Sequence, residues 1–195
     1  MAKAAKGEKT REEIIQAGMR LFSLHGYFAT SMNDILEAVS ISKGAFYHHF
    51  KSKEELALAV LEKMWADYRV QLFLPVQESE ASERLGVALR RIVQLNESGL
   101  WVNCLLLARL AQETAQQESG LSEKLAEVMK ELIGFWREII EAAQKARTVS
   151  DKLNAGRLAE LMVSVLMGAI ICRQLKGEPI SLEQMAGQIE RLIKP

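Results

Sequence analysis

Apolar positions recur at three- and four-residue intervals along almost the whole chain, the spacing of one buried face of an α-helix. The first stretch carries Ile14, Gly18, Leu21 and Phe22 and predicts a helix from Arg11 to His25. Thr10 and Glu13 are placed to form a capping box at its start, and Gly26 suits the left-handed residue after its end. Met32, Ile35, Leu36 and Val39 predict a short second helix, with Ser31 and Asp34 as reciprocal caps. Ser42 is placed to cap a third, Lys43 to about His49, after a tight connection of Ser40 and Ile41. Ser52 with Glu55 opens a fourth, whose stripe is Leu56, Val60, Leu61, Met64 and Tyr68 and which Pro75 is expected to end.

Four more long segments and a last short one keep the helical period. Ser82 to Asn96 is amphipathic, and Leu100 to Gln116 is almost wholly apolar as far as Leu110, which argues for a central place. Ser122 to Arg147 carries Leu125, Met129, Leu132, Trp136, Ile139 and Ala143 on one stripe. Asn154 to Lys176 is apolar nearly all round from Leu161 to Cys172, and Gly177 and Pro179 break it. Ser181 with Gln184 starts the final helix, to Ile193. No useful strand-like alternation and no internal repeat interrupts this. The pattern predicts an all-α protein of about nine helices, divided into residues 1–55 and 56–195.

Composition narrows the class. The 195 residues are 49% apolar, enough for a sizeable core, and three prolines and 12 glycines exclude collagen-like, disordered and most all-β readings. The most apolar run, Leu161 to Cys172, is 12 residues and contains Ser164, short of the roughly 18 of a membrane span. Met1 to Arg11 has no apolar core of a signal peptide, and Cys104 and Cys172 make no disulfide framework, so a cytoplasmic setting is expected. No Cys/His spacing suits a metal, and no cofactor is expected.

The net charge is zero but unevenly spread. No acid lies between Glu37 and Glu54, where Lys43, Lys51, Lys53, His48 and His49 occur. Lys3, Lys6, Lys9 and Arg11 face only Glu8 in the first 11 residues. From Leu56 onward 17 basic residues meet 18 acidic ones. A basic N-terminal module thus precedes a neutral body, and nucleic-acid affinity depends on local rather than whole-chain charge.

Within that module Ile35, Leu36 and Val39 are expected to face Phe46 and Phe50, with Ile41 plugging the turn between two short helices. Thr30, Ser31, Ser42, Lys43, Gly44, Tyr47, His48, Lys51 and Lys53 are then the candidate DNA-binding residues. Gly44 permits close backbone approach, Tyr47, Lys51 and Lys53 suit phosphates, and the start of the fourth helix offers N–H groups to another. His25 reads instead as a charge at a helix C-terminus.

This stretch resembles the TetR family of bacterial repressors. The resemblance rests on Ile41-Ser42-Lys43-Gly44, Tyr47-His48-His49-Phe50 and Ser52-Lys53-Glu54, and on Phe22, Gly26, Tyr27, Thr30 and Ser31 at the family's spacing. It covers roughly Glu12 to Leu61; Ser40 stands where the family usually has glycine. The resemblance implies a helix-turn-helix DNA-binding domain over residues 1–55 and a ligand-binding and dimerisation domain over 56–195. It implies a homodimeric repressor whose partners are double-stranded operator DNA and a small-molecule inducer, with no membrane.

In the body, Met64, Tyr68, Trp101, Asn103, Cys104, Arg109 and Trp136 are candidate pocket residues, and core is the alternative for each apolar one. Arg109 and Asn103 in an apolar helix need partners, whether ligand or protein; an ion pair from Arg109 to Glu113 is the structural alternative. Leu161, Val165, Ala169, Met185, Ile189 and Leu192 are candidates for a two-fold interface. An apolar or aromatic inducer suits such a pocket. Cys104, near a helix start, is alternatively a thiol sensor of electrophiles; Asn103-Cys104-Leu105 weakly resembles a Gly-Cys-Leu element of some members. An all-helical enzyme or ligand carrier is the rival class. No paired carboxylates, nucleophile elbow, phosphate loop or histidine beyond His49 supports catalysis.

Overall fold

The computed structural model describes the backbone over residues 2–97, 102–172 and 181–195 and side chains over 7–95, 105–172 and 181–195. Among these residues all regular structure is helical: α1 (Ala2–His25), α2 (Met32–Val39), α3 (Lys43–His49), α4 (Lys53–Tyr68), a π-helical turn (Arg69–Phe73), α5 (Leu74–Gln77), α6 (Arg84–Glu97), α7 (Val102–Thr114), α8 (Gly120–Lys145), α9 (Ala155–Cys172) and α10 (Leu182–Leu192). The all-α expectation holds, and α2 and α3 fall on the expected residues.

Local chemistry explains the short helices. Ser31 and Asp34 make the full capping box at α2, Ser31 Oγ accepting from Asp34 N at 3.2 Å and Asp34 accepting from Ser31 N at 2.7 Å. These bonds hold the exposed Asp34 carboxyl below its ordinary pKa, so its support of α2 is present above that value and is lost as acid protonates it. α2 closes with Ser40 left-handed at φ 56° and ψ 45°. Ile41 N donates to Leu36 O and Ser40 N to Glu37 O, both at 3.1 Å, the paired bonds of a Schellman turn. Gly26, at φ +91°, ends α1 as expected, its N–H donating to Phe22 O at 3.0 Å.

Two boundaries differ from expectation. α1 begins at Ala2, so Thr10 lies inside the helix rather than at its start; Ala, Lys and Glu before it carry the helix outward past Ile14, the first core residue. Pro75 does not end the fourth helical segment but sits in the first turn of α5. The carbonyl that its missing N–H would serve in an α-helix, Gln71 O, accepts instead from Arg91 Nε at 2.8 Å, so the chain stays helical across the proline.

By packing, the chain forms two compact units, residues 1–65 with 106–126 and residues 66–105 with 127–195. α4, α7 and α8 each contribute to both. In the first unit Ile14, Phe22, Ile35, Phe46, Leu56, Val60 and Leu61 are fully buried. A Cβ at Gly18 would lie 3.1 Å from Val60 and 3.2 Å from Leu56, which shows how closely α1 and α4 pack. The second unit holds a flat Phe73–Phe135 stack, centroids 3.8 Å apart, flanked by Tyr68 and Trp136 edge-on. α8 closes with Arg147 left-handed at φ 59°, and Gln144 Nε2 binds Ser150 O and Leu153 O beyond it.

α9 is apolar over 18 residues, mean hydropathy 1.7, and by length and composition alone meets the requirement for a membrane span, contrary to the reading of its 12-residue core run. Its pattern of burial is two-faced. Leu158, Ala159, Met162, Val163, Leu166, Ala169 and Ile170 are buried in the unit, while Leu161, Val165 and Ile171 are exposed.

A non-glycine residue in the left-handed region carries a backbone cost. Ser40→Gly is therefore expected to stabilise the protein by about 0.5–1 kcal/mol. The urea midpoint measures it; an unchanged or lower midpoint shows that Ser40 is not strained.

Candidate nucleic-acid interface

α3 is anchored from one side. Phe46 and Phe50 are buried, their ring centroids 5.8 Å apart, and the Arg11 guanidinium lies 5.0 Å over the Phe50 ring. Ser42 Oγ accepts from Ala45 N at 3.2 Å and fixes the first turn. On the other side Ser42, Lys43, Gly44, Tyr47, His48 and Lys51 are all exposed. At Gly44 an added Cβ would meet nothing nearer than Ser42 Oγ at 4.0 Å, so that backbone is open to an incoming surface. Ser31 is exposed beside them in sequence space, at the start of α2. His49 is half-buried, its ring 5.2 Å from His48, and His25 is exposed in the last turn of α1.

Three expectations for this face are corrected. Thr30 is 1% exposed and its hydroxyl donates to Gly26 O at 2.6 Å, so it braces the α1–α2 connection from inside. Lys53 turns inward as well: Nζ donates to Tyr27 O and Thr30 O, both at 2.9 Å, and stands 4.5 Å over the Tyr27 ring. Burial lowers the Lys53 pKa, and the Glu113 carboxylate works against that shift. Burial likewise raises the Tyr27 phenol, helped by the Glu54 charge. The start of α4 is not open to phosphate, because Ser52 Oγ accepts from Glu55 N at 3.0 Å and the Glu55 carboxylate accepts from Lys51 N at 2.6 Å. With Glu54 and Glu55 both in that turn, the helix's own acids occupy the place of an anion.

Sequence reasoning saw Glu113 only as an ion-pair partner for Arg109 and missed its place on the α1–α2 connection. Its Oε2 accepts from Tyr27 N at 2.7 Å and from Phe28 N at 3.0 Å, and a Cβ on Gly26 would overlap its Oε1. Arg109, one turn earlier in α7, donates from Nη1 to Leu24 O at 3.0 Å. Its partner is thus a backbone carbonyl of α1, neither ligand nor Glu113. Nothing in the local pattern of α7 signals this, since both partners are more than 80 residues away.

The remaining candidates are dispersed. Met64 is buried and, with Arg109, belongs to the first unit; Trp136 is buried and Tyr68 half-buried in the second. Trp101 and the side chains of Asn103 and Cys104 lie outside the described residues. An open cleft of about 500 Å³ in the second unit is lined by Ala81, Glu138, Glu141, Ala142, Lys145 and Ala146, none of them expected. Leu161, Val165 and Leu192 are exposed, Met185 and Ile189 half-buried, and Ala169 is 3% exposed, covered within its own unit and closed to a partner. Among the described residues no cluster of three or more His, Cys, Asp or Glu is placed to hold a metal.

The chain resembles known regulators in sequence and fold. Residues 14–60 match the family model described as bacterial regulatory proteins, tetR family, and residues 82–189 match the tetracyclin repressor-like C-terminal domain. The probable acrEF/envCD operon repressor of Escherichia coli K12 is 31% identical over 169 residues, covering 79% of this chain and 72% of that protein. The transcriptional repressor NemR of the same organism is 21% identical over 187 residues and 94% of each chain. The crystal structure of AibR with isovaleryl coenzyme A and operator DNA superposes with a TM-score of 0.77 at 22% identity, over 95% of this chain and 98% of that one.

The inward turn of Lys53 has a measurable consequence. Lys53→Ala leaves two backbone carbonyls without their donor and is expected to cost about 1–3 kcal/mol of stability, whereas Lys43→Ala and Lys51→Ala should each stay within about 0.5 kcal/mol of wild type. Urea unfolding compares the three; equal midpoints would return Lys53 to the exposed face.

Proposed function

The chain belongs to the TetR family of bacterial regulatory proteins, and from that premise we propose that it is a homodimeric, cytoplasmic repressor that leaves operator DNA when a small apolar or aromatic molecule binds its second unit. The observation that carries the DNA reading is the two-sidedness of α3. Buried Phe46 and Phe50 fix the helix, and Ser42, Lys43, Gly44, Tyr47 and His48 stand free on its outer side. Lys43 and His48 are assigned to base edges in the major groove; Ser31, Ser42, Tyr47 and Lys51 are assigned to phosphates. Thr30 and Lys53 support the connection behind them.

A single helix-turn-helix reads few base pairs, and a two-fold dimer supplies the second half-site. The exposed arc of α9, with Leu161, Val165 and Ile171, together with Leu192 at 79% exposure on α10, supports the dimer surface. Ile171 takes the place first assigned to Ala169. For the inducer, the support is the aromatic group of Tyr68, Phe73, Phe135 and Trp136. Arg109 donates to Leu24 O and belongs to the first unit, so it does not stand beside these rings, which favours an uncharged ligand group. AibR, on the same fold, was crystallised with an acyl-coenzyme A and operator DNA together, which supports a ligand-responsive regulator. Release is a population shift: a ligand that binds better to a subunit arrangement with the wrong recognition-helix spacing lowers operator affinity. The Cys104 alternative has its support in NemR, whose crystal structure is of a reduced form.

Selection of duplexes from a random pool tests the DNA reading. Wild type is expected to enrich a two-fold symmetric sequence. Lys43→Ala should change the bases preferred, whereas Lys51→Ala should weaken all sequences alike and lower the salt slope by about one unit. A wild-type protein that enriches no sequence overturns the reading.

Val165→Glu tests the assembly. The added carboxylate would be buried against a second copy without a partner. Sedimentation should show monomers with helicity unchanged, and a persisting dimer would place the interface elsewhere.

A further inference from the structure

We propose that Glu113 and Arg109 are positioning residues for DNA reading: a clasp from α7 onto the α1–α2 connection sets how the helix-turn-helix is presented. The inference rests on the DNA-binding reading above and assigns it a point of control. One helix face, residues 109 and 113, holds a carbonyl in the last turn of α1, Leu24 O, and two amides of the short connection after it, Tyr27 N and Phe28 N. From the other side Lys53 of α4 holds Tyr27 O and Thr30 O. The connection is thus gripped between an anion that takes its N–H groups and a cation that takes its carbonyls, at 2.7–3.0 Å throughout.

Simple satisfaction of polar groups does not require this. Phe28 is 50% exposed, and water can serve an amide so placed. At Phe28 a carboxylate from 85 residues away therefore fixes geometry rather than rescuing an orphan, while at the part-buried Tyr27 amide it also supplies an acceptor. Gly26 meets two separate demands of the same clasp. Its φ of +91° turns the chain, and its missing Cβ leaves the space that Glu113 Oε1 occupies. What is held is also what aims the reading head, because Ser31 and α2 follow the connection directly and α3 follows α2 through the tight Ser40–Ile41 turn.

α7 is one of the helices contributing to both units, its residues before Leu106 belonging to the second. A displacement of α7 by about 1 Å lengthens both Glu113 bonds beyond hydrogen-bonding range. The connection is then free, and the two recognition helices lose their fixed presentation. Sequence-specific affinity depends on that presentation, while non-specific affinity depends on phosphate neutralisation. The clasp therefore controls the ratio of the two.

The test uses the full-length protein, the duplex that wild type selects from a random pool and a scrambled duplex of equal length. Glu113→Ala is expected to weaken the selected duplex about tenfold and to leave the scrambled one unchanged. Gly26→Ala should weaken binding to the selected duplex at least as much, because a Cβ there displaces Glu113 and the left-handed φ adds strain, and the double variant should be no weaker than Gly26→Ala alone, since both remove the same bonds. Amide exchange at Tyr27 and Phe28 should quicken in each. Glu113→Gln keeps an acceptor oxygen and should recover part of the specificity; with Arg109→Ala it reads the same ratio if a harsher variant unfolds. Loss of amide protection with an unchanged specificity ratio, or additive effects in the double variant, overturns the proposal. A wild type that does not distinguish the duplexes overturns the DNA reading itself, a failure visible before any variant is made.

Discussion

Burial of Phe46 and Phe50 is the constraint from which the DNA-facing geometry follows. α3 has seven residues, far fewer than a helix needs to persist alone in water. Its order comes from two rings four residues apart on one side, together worth a few kcal/mol of apolar burial, and from the Ser42 cap. A helix fixed by one face is free to spend the other on recognition. Apart from the Ser42 cap, the polar residues on that outer face contribute little to folding, so their chemistry is available for contact with phosphate and bases.

Charge in this region serves two purposes, and only structure separates them. The acid-free window between Glu37 and Glu54 looks like a uniform electrostatic footprint. In the fold Lys43 and Lys51 are exposed, whereas Lys53 is committed to two carbonyls and an aromatic ring. Glu55 folds back onto Lys51 N and occupies the anion-attracting start of α4. The basic surface offered to a phosphate backbone is consequently narrower than the sequence suggests and concentrated on α3 and the turn after it.

What was legible in the sequence was local. Ser31 with Asp34, Ser42 and Gly26 act within four residues, and their caps and turns lie where residue chemistry places them. What was illegible depended on distant partners. Lys53 has the composition of a DNA contact, but the carbonyls it meets are set by tertiary packing; Thr30 bonds only four residues back, to Gly26 O, but what buries it is tertiary packing as well. Arg109 looked like an interior cation in need of a partner, ligand or protein, and that partner came from α1. Helical period indicates which face is buried and not what it is buried against, so Ala169 was placed on an interface although its own unit covers it. Pro75 failed as a stop signal for the same reason: Arg91, 16 residues on, supplies the donor that proline lacks.

The turn before Pro75 shows how a backbone irregularity becomes a packing device. Tyr68 and Phe73 are five residues apart, which in an α-helix places side chains about 140° apart around the axis. The wider π-helical turn between them brings their rings to 5.9 Å, edge to face. Phe73 is thereby aligned flat against Phe135, and Trp136 closes the group edge-on. The π turn carries a cost in hydrogen-bond geometry, and its retention next to a proline requires compensation from packing and from the Arg91–Gln71 bond. The π turn and the aromatic group thus share one stretch of backbone, and the ring geometry follows from it.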